Sequence, residues 1–209
     1  MGLLPLVIDA RPFEETTPSA EVLSRYADGR TNLLFVGRLT PSKRQEDVVR
    51  IFAWYRRFVD PSARLLLVGA APEVDAYPSD LAAVVDSFGL RNAVVFSGKV
   101  SFSELVAYYR VADAFVCMSE HEGFCVPLIE AMLHDVPVIA RATAAIPETL
   151  GGAGVLFEEC HVPQIAQAIG RLLSDRDMRA AVLETQRRRA AEFGPEAFAR
   201  SVDRLVAAL

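Results

Sequence analysis

Cysteine is scarce in this sequence. Cys117, Cys125 and Cys160 are the only three in 209 residues, an odd count with no metal-ligand spacing. That excludes a disulfide framework and points to a reducing compartment, so a cytoplasmic location is expected, peripheral to a membrane at most. Cys117 lies in an apolar run and reads as a small buried hydrophobe. The three histidines, His121, His134 and His161, form no metal-binding pattern. No apolar run reaches membrane-spanning length. The stretch from Met1 to Ile8 is apolar but is broken by Pro5, closed by Asp9 and lacks the basic flank of a signal peptide. Positive charge is not in excess either. Against 27 Asp and Glu stand 22 Lys and Arg, a net charge of -5, which argues against a nucleic-acid surface while leaving room for a local basic pocket. No G-x-G-x-x-G follows a strand, so the dinucleotide fingerprint is missing. Gly37 to Lys43 is no phosphate loop of the Walker type, because no glycine precedes Lys43 and no Ser or Thr follows it. No G-x-S-x-G nucleophile elbow, low-complexity tract or sequence repeat occurs.

What remains is a globular composition, 52% hydrophobic and 23% charged. Residues 9–31 are polar and turn-rich and read as a linker with one short helix near Ala20 to Tyr26. Strands are expected at Asn32 to Val36, Ala63 to Val68, Ala93 to Phe96, Ala114 to Met118, Val136 to Ala140 and Gly154 to Phe157. Helical spacing runs from Ser42 to Val59 through Val48, Val49, Phe52, Tyr55 and Phe58, with Ser42 and Gln45 as a capping box. A helix from Asp80 to Phe88 closes at Gly89, and Ser101 with Glu104 caps another through Arg110. The tail from Val162 to Leu209 is helical, with breaks near Ser174-Asp175 and Gly194-Pro195. Continuous apolar strands alternating with helices predict an α/β doubly wound parallel sheet of about six strands, covered on both faces. The organisation follows as a linker or remnant over 1–31, a sheet domain over 32–175, and C-terminal helices of the same domain over 176–209.

Two segments carry chemistry. Gly37-Arg38-Leu39-Thr40-Pro41-Ser42-Lys43 leaves the first strand with a guanidinium and an ammonium near a helix start. These are either two surface cations or a pair that neutralises a diphosphate. Glu122 and Glu130 flank seven residues after the fourth strand. Gly123 permits positive φ or close approach, and Pro127 suits a first helical turn. The amides of Phe124, Cys125 and Val126 would then face an anion above the helix start. Glu122 and Glu130 read either as a solvated side chain and a helix-dipole partner, or as acceptors for hydroxyls, Glu130 taking a vicinal diol. His121 reads as an exposed loop residue, Phe52, Trp54, Tyr55 and Phe58 as helix packing, and Arg187-Arg188-Arg189 as a solvated helix face.

The two segments together, with Val95-Phe96-Ser97-Gly98-Lys99-Val100, Pro137-Val138-Ile139-Ala140 and Ile146-Pro147-Glu148, give a sequence that resembles the nucleotide-sugar-binding C-terminal domain of GT-B glycosyltransferases. The match is to the retaining family 4, the group 1 type, over about residues 32 to 175. The resemblance implies a Rossmann-like domain that is one half of a GT-B fold. It implies that Arg38 and Lys43 hold the donor diphosphate with Gly37 beside it, and that Glu122 contacts sugar hydroxyls. The amides of Gly123, Phe124, Cys125 and Val126 would meet sugar and phosphate, Glu130 the ribose, and Val100 and Leu105 the base. It implies a UDP-, GDP- or ADP-sugar donor substrate, no tightly bound cofactor, no metal and no nucleic-acid partner. Two departures stand out: Ala144 and Ala145 where glycines are frequent, and Arg44 where a glycine is frequent. An N-terminal acceptor domain, implied by the resemblance, is expected outside these residues, with Pro5-Leu6-Val7-Ile8-Asp9 as its linker and Phe193 to Leu209 crossing back toward it. The isolated chain is then expected to transfer little sugar. The alternatives are a non-catalytic nucleotide-sugar-binding or scaffold subunit, or a GT-B epimerase or phosphorylase.

Overall fold

The computed structural model describes residues 6–71 and 76–207. Pro5, in the expected linker, and Ala208-Leu209, at the end of the expected tail, lie outside the described residues. Six strands form one parallel sheet: β1 (Asn32–Val36), β2 (Arg64–Val68), β3 (Val94–Gly98), β4 (Ala114–Cys117), β5 (Val138–Arg141) and β6 (Val155–Phe157). Their order is β3-β2-β1-β4-β5-β6. The helices are α1 (Arg11–Glu15), α2 (Ala20–Tyr26), α3 (Gln45–Phe58), α4 (Tyr77–Ser87), α5 (Phe102–Val111), α6 (Val126–Leu133), α7 (Ile146–Leu150), α8 (Val162–Ser174), α9 (Arg176–Ala191) and α10 (Pro195–Ala207). Among the described residues no helix is long and apolar enough to cross a membrane.

Successive side chains on a strand point to opposite faces, and here the alternation divides two cores. Leu34, Leu66, Val68, Phe115 and Cys117 enter one core with α2, α5, α6 and α7. Leu33, Phe35, Leu65, Leu67, Ala114 and Val116 enter the other with α3, α4 and α8. Every one of these strand residues is essentially inaccessible. That explains why the strands read as continuous apolar runs: each face is covered.

Several local expectations change. The segment read as a linker holds α1 as well as α2, and Val22 and Tyr26 of α2 are buried in the first core. Ser42 and Gln45 form no capping box. Pro41–Lys43 winds into a short 3-10 turn, Arg44 takes a left-handed conformation with φ 52°, and α3 starts only at Gln45. The lost cap is replaced by charge, since Glu46 and Asp47 stand in the first turn of α3 where the helix dipole favours anions. Phe58, placed by spacing on the buried stripe, is 61% exposed at the helix end. The box at Ser101 and Glu104 does form, with Ser101 Oγ accepting from the Glu104 N–H and Glu104 accepting from the Ser101 N–H.

Two features hold the strand ends. Gly69, just after β2, lies so close to the loop after β1 that a Cβ there would sit 2.1 Å from the Gly37 carbonyl oxygen. Only glycine permits that approach, so the first candidate loop is held against its neighbour. At the other end of the sheet, the fully buried Gln186 of α9 straddles the start of β5. Its Oε1 accepts from the Val138 N–H at 2.8 Å and its Nε2 donates to the Val136 carbonyl at 2.9 Å. Gln186→Leu removes both bonds and leaves two buried backbone groups unpaired, at about 1–3 kcal/mol each. Urea unfolding is expected to register a loss of about 3 kcal/mol. A loss below about 0.5 kcal/mol, the size of an ordinary surface change, would contradict the clamp.

Candidate functional site

The chain runs from β1 to β2 to β3 on one side, then crosses back so that β4 pairs with β1. The loops leaving β1 and β4 therefore part at the C-terminal edge of the sheet, the place where open α/β sheets form a crevice. The two loops are joined directly, because the Glu120 N–H donates to the Ser42 carbonyl at 2.9 Å. That bond brings the two candidate segments together. Lys43 Nζ lies 2.6 Å from Glu122 Oε2, with side chains 22% and 10% exposed. Most of the water is gone around this pair, so their charges interact more strongly than on a surface.

Arg38 is exposed, and its guanidinium has no ion pair or hydrogen bond among the described residues. Its backbone is fixed by Gln45, whose side-chain amide donates to the Arg38 carbonyl at 2.8 Å. The Gln45 Oε1 is left buried and unpaired. Arg44, by contrast, is consumed locally. It pairs with Asp47 at 2.9 Å, Glu46 at 3.0 Å and Glu120 at 3.4 Å. Of the three cations on this loop, then, one is free, one is matched to Glu122 and one is structural.

The start of α6 differs from expectation in one respect. Gly123 does not have positive φ, and a Cβ there would meet nothing within 4 Å. The left-handed residue is Cys125, at φ 65°, and Pro127 occupies the first turn. The loop's carbonyls are tied down from the side of α7. Thr149 Oγ1 donates to the Phe124 carbonyl and Thr143 Oγ1 to the Ser119 carbonyl, each at 2.6 Å, while the Ala145 N–H donates to the Glu122 carbonyl at 3.4 Å. The N–H groups of Gly123, Phe124, Cys125 and Val126 have no acceptor among the described residues. Four unpaired donors at a helix start, beside Lys43, form an anion-accepting wall. Ala144 has φ 47°, a left-handed bend made here without glycine.

Glu130 lies in the second turn of α6 and caps nothing. It receives a hydrogen bond from Tyr109 Oη of α5 at 2.7 Å. Burial pushes the Glu130 carboxyl above the usual range, and the Tyr109 hydroxyl bond partly opposes this. Tyr109 is fully buried, and burial together with Glu130 raises its phenol well above the ordinary value. The His134 ring stacks on Tyr109 at 5.0 Å between centroids, with Nδ1 2.8 Å from the Glu130 carbonyl oxygen. Sequence reading did not single out Tyr109. A signal was present: it stands four residues after Leu105, on the same face of α5. Leu105 and Val100 are both partly buried against the first core. The structure thus brings Lys43 and Glu122 into contact, ties their loops to the start of α6, and links Glu130 to the helix that carries Leu105.

A further group was not visible from spacing. The sulfurs of Cys117 and Cys125 and a carboxylate oxygen of Glu122 lie within 4.8 Å of one another. Cys117 ends β4, Cys125 precedes α6, and both are buried.

Known proteins supply the comparison. Residues 30–175 match the family described as glycosyl transferases group 1. A GDP-mannose-dependent alpha-(1-6)-phosphatidylinositol monomannoside mannosyltransferase of Mycobacterium tuberculosis is 32% identical over 190 residues, covering 86% of this chain and 48% of the relative. A D-inositol 3-phosphate glycosyltransferase of Kineococcus radiotolerans is 34% identical over 178 residues, covering 78% of this chain and 40% of the relative. The chain thus spans about half the length of the curated relatives it matches. Among solved structures, the C-terminal domain of the group 1 family protein LpcC from Francisella tularensis has 25% identity and a TM-score of 0.73, over 88% of this chain and 96% of that one. The Anabaena protein HepE in complex with UDP has a TM-score of 0.81 at 20% identity, over 97% of this chain and 56% of that one, a likeness of fold alone. On the matched residues and these relatives, the chain belongs to the group 1 glycosyltransferases, and its parallel sheet is the Rossmann-like fold of a GT-B C-terminal domain.

Proposed function

We propose that this chain is the donor-binding half of a retaining glycosyltransferase that moves a hexosyl group from a nucleoside diphosphate sugar to an acceptor. The observation that carries the reading is the Lys43–Glu122 contact of 2.6 Å at the edge where β1 and β4 part. It sets a cation and a hydroxyl acceptor side by side, as a diphosphate joined to a sugar requires. Arg38, free and exposed, closes on the phosphates together with Lys43, and the unpaired amides from Gly123 to Val126 receive the remaining oxygens. As the nucleoside diphosphate leaves, its growing negative charge falls among these donors, which are already oriented. Glu130 takes the ribose hydroxyls, and the base rests toward Val100 and Leu105, one turn of α5 away from Tyr109. On this reading positioning and charge carry the reaction, and the sugar is transferred with retention.

The named donor of the M. tuberculosis relative makes GDP-mannose the first candidate. The acceptor wall of the cleft is assigned to a second domain, in keeping with relatives of which the chain covers about half. Calorimetry with GDP-mannose, and with UDP-glucose and ADP-glucose beside it, is expected to find one donor that binds. Arg38→Ala is expected to weaken it at least tenfold, about 1.4 kcal/mol. A folded chain that binds none of the three would overturn the reading. Tested alone with bound donor and acceptors, the 209 residues are expected to transfer little sugar.

Glu130 gives a second, opposing pair of effects. Its folded pKa is raised above the unfolded value by burial. The folded state therefore holds the extra proton between those two values, and stability falls as pH rises through that window. Glu130→Gln keeps an acceptor for Tyr109 but carries no charge. Thermal unfolding is expected to find this variant more stable than wild type at neutral pH, with the gap closing below the usual carboxylate pKa of 4.5. Donor affinity is expected to fall roughly tenfold, because hydrogen bonds to a charged acceptor contribute about 1.5–3 kcal/mol. Unchanged affinity would remove Glu130 from the donor site.

A further inference from the structure

We propose that Cys117, Cys125 and Glu122 form a binding site for a soft divalent cation of the zinc class, set against the edge of the crevice. The three ligand atoms already lie within 4.8 Å of one another. A tetrahedral ion with Zn–S near 2.3 Å and Zn–O near 2.0 Å needs ligand atoms roughly 3.5–4 Å apart, so small side-chain adjustments suffice. The ligands are also well anchored. Cys117 is the last residue of β4 and 1% exposed; Cys125 opens α6 and is 8% exposed; Glu122 lies on the loop between them. Two sulfurs and one oxygen select zinc, cadmium or cobalt over magnesium or calcium, which require oxygen shells.

Charge favours the site as well. Two thiolates and a carboxylate carry three negative charges, the ion returns two, and Lys43, 2.6 Å from Glu122, supplies the last. The assembly is neutral, which a buried site of this kind requires. Lys43 would then act from outside the coordination shell, fixing the carboxylate that ligates the ion.

Glu122 also belongs to the proposed donor site. Resting on that reading, zinc and donor compete for one carboxylate. Zinc added to the donor titration is expected to weaken donor affinity about tenfold in wild type and leave it unchanged in Cys117→Ser. Equal weakening in both, or none in wild type, would overturn the competition.

The site itself is tested without any nucleotide, so it stands or falls independently of the donor reading. The reduced 209-residue chain is titrated with cobalt(II) and its absorption spectrum followed. One equivalent is expected to produce a thiolate-to-cobalt band and the visible bands of tetrahedral cobalt, both abolished by one equivalent of zinc. Cys117→Ser and Cys125→Gly should each cut the thiolate band at one equivalent by half or more. The second variant is expected to fold, since glycine suits the left-handed backbone at that position, and its thermal unfolding is checked alongside. Glu122→Gln should keep the band and weaken cobalt binding about tenfold. A folded wild-type chain with no thiolate band, or a band of undiminished intensity in Cys125→Gly, would overturn the site.

Discussion

The pairing of β4 with β1 is the constraint on which everything else depends. Leu33 pairs with Ala114 and Leu34 with Phe115, although the two strands are separated by two full strand-helix units. This pairing forces the chain to cross from one edge of the growing sheet to the other. The crossing leaves an opening between the loops at the carboxyl ends of the two strands. One loop carries Arg38 and Lys43, the other Glu122 and the unpaired amides that lead into α6. Without this crossover the two segments would lie on different parts of the surface, and the proposed site could not form.

Rigidity comes from the cores beneath and from backbone contacts at the rim. Phe35 and Val116 sink into one core while Leu34 and Phe115 sink into the other, so β1 and β4 cannot slip by one residue without exposing a whole face. At the rim, Gly69 packs under Gly37, and Ser42 accepts from Glu120. The loop cations are thereby separated in role. Arg44 is spent on Glu46, Asp47 and Glu120 and Lys43 on Glu122, which leaves the Arg38 guanidinium without a partner among the described residues. Cys125 in a left-handed conformation turns the chain into α6 and keeps the amides before it unpaired.

Much of this was legible in the sequence, because it is local. The bounds of β1, the capping box at Ser101 and Glu104, and the helix break at Ser174-Asp175 each depend on residues within one turn of each other. The sheet class followed from apolar runs alternating with helical spacing, and the meeting of the Lys43 and Glu122 loops from their places after β1 and β4. What was not legible depends on partners distant in sequence. Ser42 and Gln45 look like a box, yet the bond from Ser42 to Glu120 and the turn at Arg44 take the chain elsewhere. Glycine at position 123 drew the expectation of positive φ, but the bend falls at Cys125. Tyr109 gains its meaning only from Glu130, 21 residues away. Cys117 read as an isolated hydrophobe because nothing in its spacing shows that Cys125 and Glu122 fold back toward it.

A crystal structure of this chain with a GDP-sugar bound tests the central claim most directly. The account predicts the diphosphate within hydrogen-bond reach of Arg38 and Lys43 above the start of α6, with the ribose hydroxyls on Glu130. A nucleotide seated at the opposite end of the sheet, or one whose diphosphate touches neither cation, would contradict it.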